Sequence, residues 1–86
     1  MEAIKAVVRK VFPDGRYGSY ALATSTEVKG TITFSLDKSV WQEDELPETG
    51  MFVLLSNLRQ KKVGWRASSG RFYQPSDERQ HKTKGN

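Results

Sequence analysis

The chain has 86 residues, a formal net charge of +4 at pH 7 and no cysteine. This length allows one domain with a small core, which excludes a large internal cavity, and the lack of cysteine excludes disulfides and thiolate metal sites. No apolar run approaches the ~20 residues that cross a bilayer and the N-terminus lacks the features of a signal peptide, so we expect a soluble, cytoplasmic protein.

The charge is unevenly distributed along the sequence. Residues 57–73 carry five Lys or Arg and no acid, whereas residues 35–56 carry one Lys and five acids. A basic segment set against an acidic one suggests a polyanionic partner that approaches from one side. From charge alone, the alternative of a basic face that only keeps the protein soluble stays open.

The first predicted strand covers residues 3–12, which are rich in β-branched side chains and contain neither Gly nor Pro. Its even-numbered positions, which include Lys10 and Phe12, are the more apolar and are expected to face the core. The Pro-Asp-Gly sequence at residues 13–15 is strong turn chemistry, so the chain is expected to reverse into a hairpin there.

The second and third strands are predicted at residues 17–24 and 28–34, with a short polar loop between them. Gly18 weakens a strand by itself, so we expect a bulge, a bend or the close approach of a ligand at this position. In the third strand Ile32 and Phe34 alternate with two threonines, which places these two side chains on the same side of the sheet.

The segment 35–50 breaks the strand pattern, and it is expected to hold at most a turn or two of helix, of the 3₁₀ type, before Pro47. Residues 51–55 form the most apolar run of the chain and are predicted to be a core strand. A basic turn is predicted at residues 57–62.

The last strand is predicted at residues 63–73, either as one bent strand or as two short ones. Residues 74–86 contain no apolar side chain and are expected to be a disordered polar tail, so the folded domain is assigned to residues 1–73. Five short strands with a long connection after the third favour a closed, all-β antiparallel barrel. An SH3-like barrel fits this strand count nearly as well as an oligonucleotide-binding (OB) barrel.

Three motifs resemble, in order and spacing, those of the cold-shock domain, a member of the OB fold. Residues 15–20 (Gly-Arg-Tyr-Gly-Ser-Tyr) resemble its Lys-Gly-Phe-Gly-Phe-Ile motif, residues 30–35 (Gly-Thr-Ile-Thr-Phe-Ser) resemble its Val-Phe-Val-His-Phe-Ser motif, and residues 46–50 resemble the lead into its fourth strand. The resemblance covers about residues 4–73. It implies a five-stranded antiparallel OB barrel that binds single-stranded DNA or RNA.

The sequence departs from the family at several ring positions. The family's first-strand tryptophan falls at Val11, and the Phe and His of its second motif fall at Thr31 and Thr33. Several rings of the family's stacking platform are therefore missing. The resemblance then implies binding of lower affinity or different specificity.

The expected function is non-catalytic binding of single-stranded RNA or DNA, in which rings stack on bases and cations contact phosphates. Tyr17 is the leading stacking candidate. Trp41 either plugs the end of the barrel or projects as a stacking ring, and a core position is also open for Tyr20, Phe34 and Trp65. The candidate nucleic-acid-binding residues are the rings Phe12, Tyr17, Tyr20, Phe34, Trp41 and Trp65 and the cations Lys10, Arg16, Lys29, Lys61 and Arg66.

Nothing in the sequence indicates an enzyme, a cofactor, a metal site or a small-molecule substrate. The single histidine, His81, falls in the predicted tail, where it cannot be held in catalytic geometry. The acids of residues 43–48 lack the alternate spacing of a calcium loop. The main alternative function is a protein-interaction module, an SH3-like or OB barrel that engages an acidic protein partner; binding to double-stranded DNA also stays open.

Overall fold

Five β-strands form the framework of the protein in a computed structural model, which describes residues 3–16 and 18–77. They are β1 (Ile4–Phe12), β2 (Tyr20–Thr24), β3 (Thr31–Ser35), β4 (Phe52–Gln60) and β5 (Trp65–Phe72). The strands close into a barrel in the order β1-β2-β3-β5-β4, with β4 returning to β1. The prediction of an all-β, five-stranded barrel is confirmed.

The connectivity is that of a Greek key. Strands β1, β2 and β3 follow one another as antiparallel neighbours, and β4 returns through a long connection to lie beside β1. A five-stranded Greek-key barrel is the arrangement of the OB fold, and the architecture is consistent with an OB-like fold.

The barrel is mixed rather than purely antiparallel, because β3 and β5 pair in parallel. The expectation of antiparallel pairing throughout was wrong for a geometric reason. Strand directions must alternate around an antiparallel ring, and an odd number of strands cannot alternate all the way round. Five strands that close on themselves therefore contain at least one parallel pair, and here it is the seam between β3 and β5.

The core lies inside the barrel and follows the two-residue period of the strands. In β4, the predicted core strand, Val53 and Leu55 point inward; in β3, Ile32 and Phe34 do the same. The buried apolar side chains are those of Ala6, Val8, Ala21, Ala23, Ile32, Phe34, Leu36, Trp41, Val53, Leu55 and Ala67.

A register shift in β1 between Val8 and Lys10 changes which side chains face the core. Before the shift the predicted even-numbered face is correct, since Ala6 and Val8 are buried. After the shift Lys10 is exposed and Val11 packs against the core instead. A bulge inserts one extra residue and so reverses the alternation, which a regular period cannot anticipate.

Several strand boundaries differ from the predicted ones. β2 begins at Tyr20 and β3 at Thr31, later than expected, while β4 continues through Gln60 into the predicted basic turn. The bend expected at Gly18 is present: this residue has a φ of 106°, a conformation that glycine adopts readily. The loop between β1 and β2 is therefore longer than a tight hairpin.

The segment after β3 packs over the barrel through Trp41. The backbone N–H of Gly70 donates to the Val40 carbonyl at 3.0 Å, and that of Gln42 donates to the Gly70 carbonyl at 3.0 Å. Residues 38–40 form a hydrogen-bonded turn, within the expectation of at most a turn or two of helix in this segment. The connection is thus held against β5 by backbone pairing.

The packed part of the chain extends at least to Asp77, beyond the predicted boundary at residue 73. Residues 75–77 form a helical turn, and the buried Asp77 carboxylate accepts bonds of 2.8 and 3.1 Å from the two terminal nitrogens of Arg71. The rest of the predicted disordered tail, residues 78–86, lies outside the described residues. None of the helical structure in the described part of the chain is long and apolar enough to cross a membrane.

Candidate nucleic-acid interface

The outer surface of the barrel carries two rows of cross-strand neighbours, which point to the same side of the sheet and run from β1 through β2 and β3, the longer one continuing over β5 to β4. One row runs from Phe12 to Tyr20 to Ser35. The other runs from Lys10 on β1 to Arg59 on β4, through Leu22 on β2, Thr33 on β3 and Arg66 on β5. We call this surface the Tyr20 face and define it by Lys10, Phe12, Tyr20, Leu22, Thr33, Ser35, Arg59 and Arg66.

An aromatic pair forms one end of the Tyr20 face. The rings of Phe12 and Tyr20 are stacked, with centroids 4.6 Å apart and planes inclined by 16°, and both side chains are partly buried. The ammonium group of Lys10 lies 5.2 Å from the centroid of Phe12. The pair is a flat, partly exposed surface with a cation beside it, which is suited to stacking on a base.

Gly15 allows the turn between β1 and β2 to pack on this pair. A Cβ at this position would lie 2.7 Å from Cε1 and 2.8 Å from Cδ1 of Tyr20, and it would also clash with the carbonyl of Gly18. Any larger residue must therefore displace either the ring or the turn. The glycine of the Pro-Asp-Gly sequence that predicted the turn thus also allows the turn to lie against the Tyr20 ring.

An open cavity of about 330 Å³ lies beside Tyr20. Its lining includes Arg16 and Arg66, which carry guanidinium groups, and Thr33 and Ser35, which carry hydroxyl groups. A ligand in this space therefore meets a ring, two cations and hydroxyl groups. The combination fits a flat, uncharged group attached to an anion.

A second cavity, of about 620 Å³, adjoins the first. The two share Gly18, Ser19, Ser35 and Arg66, and the second adds polar side chains from the connection after β3. Among these is Asp37, whose pKa is lowered by hydrogen bonds from the hydroxyl and the backbone N–H of Ser39. The site therefore has an aromatic compartment and a polar one.

Two cations of the Tyr20 face, Arg59 and Arg66, have no partner in the described part of the chain. Arg59 and Arg66 are directly opposite each other on β4 and β5, and like charges in this position destabilise a sheet. Neither side chain has an ion pair or hydrogen bond to any residue in the described part of the chain. Both are exposed and available to an anion.

Of the alternatives left open for two candidate rings, the structure shows the core position for Phe34 and the barrel plug for Trp41, which are 0% and 1% exposed. Phe34 points inward with Ile32. Trp41 plugs the barrel: its ring contacts Phe34 and Phe72, with centroids 5.7 and 5.0 Å apart, and its indole N–H donates to the Glu45 carbonyl at 2.8 Å. A ring without an exposed face cannot stack on a base.

Trp65 also lies away from the Tyr20 face. It is the β5 partner of the inward-facing Ile32, it packs against the core, and its indole N–H donates to the Lys29 carbonyl at 2.9 Å. Tyr17, the leading candidate from the sequence, falls outside the described residues. Of the six candidate rings, Phe12 and Tyr20 are brought together on the Tyr20 face.

The candidate cations fall into two groups. Lys10, Arg16 and Arg66 lie on or beside the Tyr20 face, whereas Lys29 and Lys61 lie in the β2–β3 and β4–β5 loops. These loops approach at the start of β3, and the length of β3 separates them from Ser35 by about 13 Å at ~3.3 Å per residue. Lys29 and Lys61 can therefore extend a binding track but do not reach the cavity beside Tyr20.

Another surface combines rings and cations, on the outer side of β1, β4 and β5. The Lys5 ammonium lies 4.6 Å from the centroid of Phe52 and 4.3 Å from that of Tyr73. Arg71 is bound by Asp77, whose hydrogen bonds raise its pKa above the ordinary arginine value. We call this surface the Lys5 face and define it by Lys5, Phe52, Leu54, Arg71 and Tyr73.

The sequence reasoning did not single out the hydroxyl groups of Ser19 and Ser35 or the carboxylate of Asp37 as parts of a site. Their positions depend on the pairing of β2 with β3 and on the turn that follows. One available signal was that Ser35 is two residues before Asp37, whose backbone N–H it accepts at 3.0 Å, as in a common polar turn. No group of three or more His, Cys, Asp or Glu suited to a metal occurs in residues 3–16 and 18–77.

Comparison with known proteins gives no assignment: the chain matches no family model, no curated protein and no solved structure. The resemblance to the cold-shock domain therefore depends on the three sequence motifs, beside a barrel consistent with an OB-like fold. The function has to be argued from the Tyr20 face itself.

Proposed function

We propose that this protein binds single-stranded nucleic acid through the Tyr20 face and performs no chemistry on it. One observation carries the proposal: the stacked Phe12–Tyr20 pair borders an open cavity flanked by Arg16 and Arg66, with no protein partner for either guanidinium group in the described chain. Rings beside free cations are what an unpaired base and its phosphate require.

The energetics favour this ligand class. A base that stacks on an exposed ring contributes about 1–3 kcal/mol, and every base has a flat face that can do so. An anionic backbone near Arg59 and Arg66 also removes the repulsion between these two side chains. Arg66 lines the cavity beside Tyr20 and Arg59 lies opposite Arg66 on the next strand, so a chain of several nucleotides benefits from both terms.

A single strand fits better than a duplex. The cavity beside Tyr20, about 330 Å³, has room for one flat group at the ring. Bases in a duplex are already stacked on each other and must be extruded to reach such a ring, at an expense of a few kcal/mol. Unpaired bases are available without that penalty.

The proposal includes a cold-shock-like relationship in the wider sense and a cytoplasmic location. The first is supported by the three motifs, of which the first supplies Tyr20 and the second supplies Ser35. The absence of cysteine is compatible with a reducing compartment. Because several family rings are replaced, we expect weaker binding than a full stacking platform would give.

The test is a titration of the protein into fluorescein-labelled oligo-dT and a mixed-sequence RNA, followed by anisotropy at two salt concentrations. If Lys10, Arg16, Arg59 and Arg66 contact phosphates, the slope of log K against log salt is expected to be about −3. A duplex of the same length is the matched control and should bind more weakly. Absence of binding, or binding that salt does not weaken, contradicts the proposal.

A second function, docking of an acidic protein partner, is favoured by one observation on the Lys5 face. Phe52 is 51% exposed and its neighbour Met51 is 41% exposed, next to the Lys5 ammonium. The test is binding of a labelled acidic peptide with aromatic residues, with an unlabelled oligonucleotide as competitor. Peptide binding that is lost in Phe52→Ala and is not displaced by the oligonucleotide supports this function; no peptide binding contradicts it.

A further inference from the structure

We propose that the Tyr20 site prefers RNA to DNA because the polar cavity next to it takes the ribose, with Ser35 and Asp37 contacting the 2′-hydroxyl group. This inference rests on the proposed function and specifies which nucleic acid it concerns. Two observations support it. The two cavities share a wall, and Ser35 and Asp37 each have a hydrogen-bonding position that no residue in the described part of the chain uses.

The position of the sugar follows from the position of the base. A base stacked on Tyr20 occupies the first cavity, whose wall toward the second is formed by Gly18, Ser19, Ser35 and Arg66. The sugar is bonded directly to the base, so it lies at this shared wall. The phosphate then lies near Arg66, which borders both cavities.

Ser35 at this wall offers a donor, and Asp37 in the second cavity offers an acceptor. Ser35 Oγ accepts the Asp37 N–H at 3.0 Å, and its own hydrogen has no acceptor among residues 3–16 and 18–77. Asp37 Oδ2 accepts from the backbone N–H and the hydroxyl of Ser39 at 3.1 and 2.6 Å, whereas no described residue donates to Oδ1. A 2′-hydroxyl is at once a donor and an acceptor, so it can use both free positions.

The charge of Asp37 supports a sugar rather than a phosphate at this point. The bonds from Ser39 lower the pKa of Asp37, so the carboxylate is ionised at neutral pH. An anion repels a phosphate but accepts a hydrogen bond from a ribose hydroxyl, which is the role of the acidic residue in dinucleotide-binding folds. DNA lacks this hydroxyl and therefore gains no bond to Asp37, whose exposed carboxylate stays in contact with water.

The experiment compares two oligonucleotides that differ only in the sugar. Oligouridine and oligodeoxyuridine, each about eight nucleotides long, are titrated with the full chain and followed by anisotropy. We expect the ribose form to bind about 3- to 10-fold more tightly, as one or two hydrogen bonds would give. A 2′-O-methyl oligouridine keeps the oxygen but loses the donor toward Asp37, and we expect it to lose most of the preference.

Variants identify the groups responsible. Ser35→Ala and Asp37→Asn are each expected to lower the ratio of the two affinities toward one, whatever the change in the deoxyuridine affinity itself, because that oligonucleotide has no 2′-hydroxyl to bond to either group. Ser56→Ala, which removes a hydroxyl from the outer side of β4, is the matched control and should leave the ratio unchanged. The two variants act on different atoms, so misfolding of one leaves the other as a test.

Each outcome has a distinct meaning. Equal affinities for the two oligonucleotides in the wild-type protein overturn the ribose inference and leave single-strand binding intact. A preference for RNA that persists in both Ser35→Ala and Asp37→Asn overturns the assignment of these two residues. No binding of either oligonucleotide overturns the inference together with the proposed function.

Discussion

Two faces of one small barrel carry rings and cations, yet they differ in what those groups contact. On the Lys5 face the ammonium of Lys5 lies over two rings, and Arg71 is bound by a buried carboxylate. On the Tyr20 face the two rings stack on each other, and Arg59 and Arg66 face each other without an ion pair to any acid in the described chain. The two faces have the same types of amino acid, but they differ in how many of these groups are available to bind a ligand.

The difference suggests where to look for a site. The Lys5 face lowers its own free energy through internal cation–π contacts and an ion pair, so a nucleic acid would have to displace them. The Tyr20 face has an open cavity and a pair of guanidinium groups that repel each other. An anionic ligand bound there reduces this repulsion. A basic aromatic surface is a better candidate when its groups have no partner within the protein.

The most direct test of this difference between the two faces is to remove one ring from each of them. Tyr20→Ala is expected to weaken oligonucleotide binding by about 1–3 kcal/mol, or about 5- to 150-fold, because the stacking surface is lost. Phe52→Ala removes a partly exposed ring from the Lys5 face and should leave the affinity unchanged. Anisotropy titrations measure both, and equal losses in the two variants would remove the distinction between the faces.

The second test concerns the ion pair beside the Lys5 face. Asp77→Asn is expected to lower the free energy of unfolding by about 1–2 kcal/mol, less than a fully buried pair would lose, because part of Arg71 reaches solvent. Urea denaturation gives the value. The control is Asp44→Asn, which breaks the exposed ion pair with Lys38 and should change stability very little. Asp77→Asn should leave the oligonucleotide affinity unchanged, and a strong loss of affinity would mean that the Arg71–Asp77 pair takes part in binding.

The unpaired guanidinium groups give a third test, through salt dependence. Arg59→Gln and Arg66→Gln should each make the slope of log K against log salt less negative by about 0.7, because one phosphate contact is lost. Stability should stay the same or rise by a few tenths of a kcal/mol, as the repulsion across β4 and β5 is removed. A marked fall in stability would show that these side chains hold the sheet instead of a ligand.

The last test concerns Lys5 itself, where the expected effect on binding is the smallest of the four. Lys5→Met keeps an apolar stem but removes the ammonium from between Phe52 and Tyr73, so we expect a loss of about 0.5–1 kcal/mol in unfolding free energy. The same variant lowers the net charge by one, as Arg66→Gln does. It should nevertheless leave the salt slope nearly unchanged, and a change as large as that of Arg66→Gln would mean that net charge alone governs binding.

Much of the fold follows from local signals in the sequence. The alternation in β3 and the apolar run of β4 correctly predicted that Ile32, Val53 and Leu55 are in the core, and the turn residues gave the β1–β2 hairpin. The bulge after Val8 was not predictable from a regular period. The parallel seam required strand count and closure to be considered together, since no local pattern specifies it.

The candidate site was harder to predict because its parts come from distant segments. Phe34 was assigned to binding by family resemblance although its alternation with Ile32 indicated the core, and the alternation was correct. Trp41 lies in a polar stretch, and its burial depends on pairing with Gly70 far along the chain. Asp77 follows a segment without apolar residues, so a hydrophobic pattern could not predict that an ion pair would dock it.

The parallel seam between β3 and β5 also means that a ligand bound across it stabilises the folded barrel. It alone brings Arg66 beside Thr33, and its partners Ile32 and Trp65 are more than thirty residues apart in sequence. A nascent chain that has emerged only as far as β4 has both rings of the Tyr20 face but not Arg66. A ligand that spans the seam therefore selects the finished barrel, and at 100 times its Kd it adds about 2.7 kcal/mol to the unfolding free energy. The melting temperature then reports how much of the protein has ligand bound.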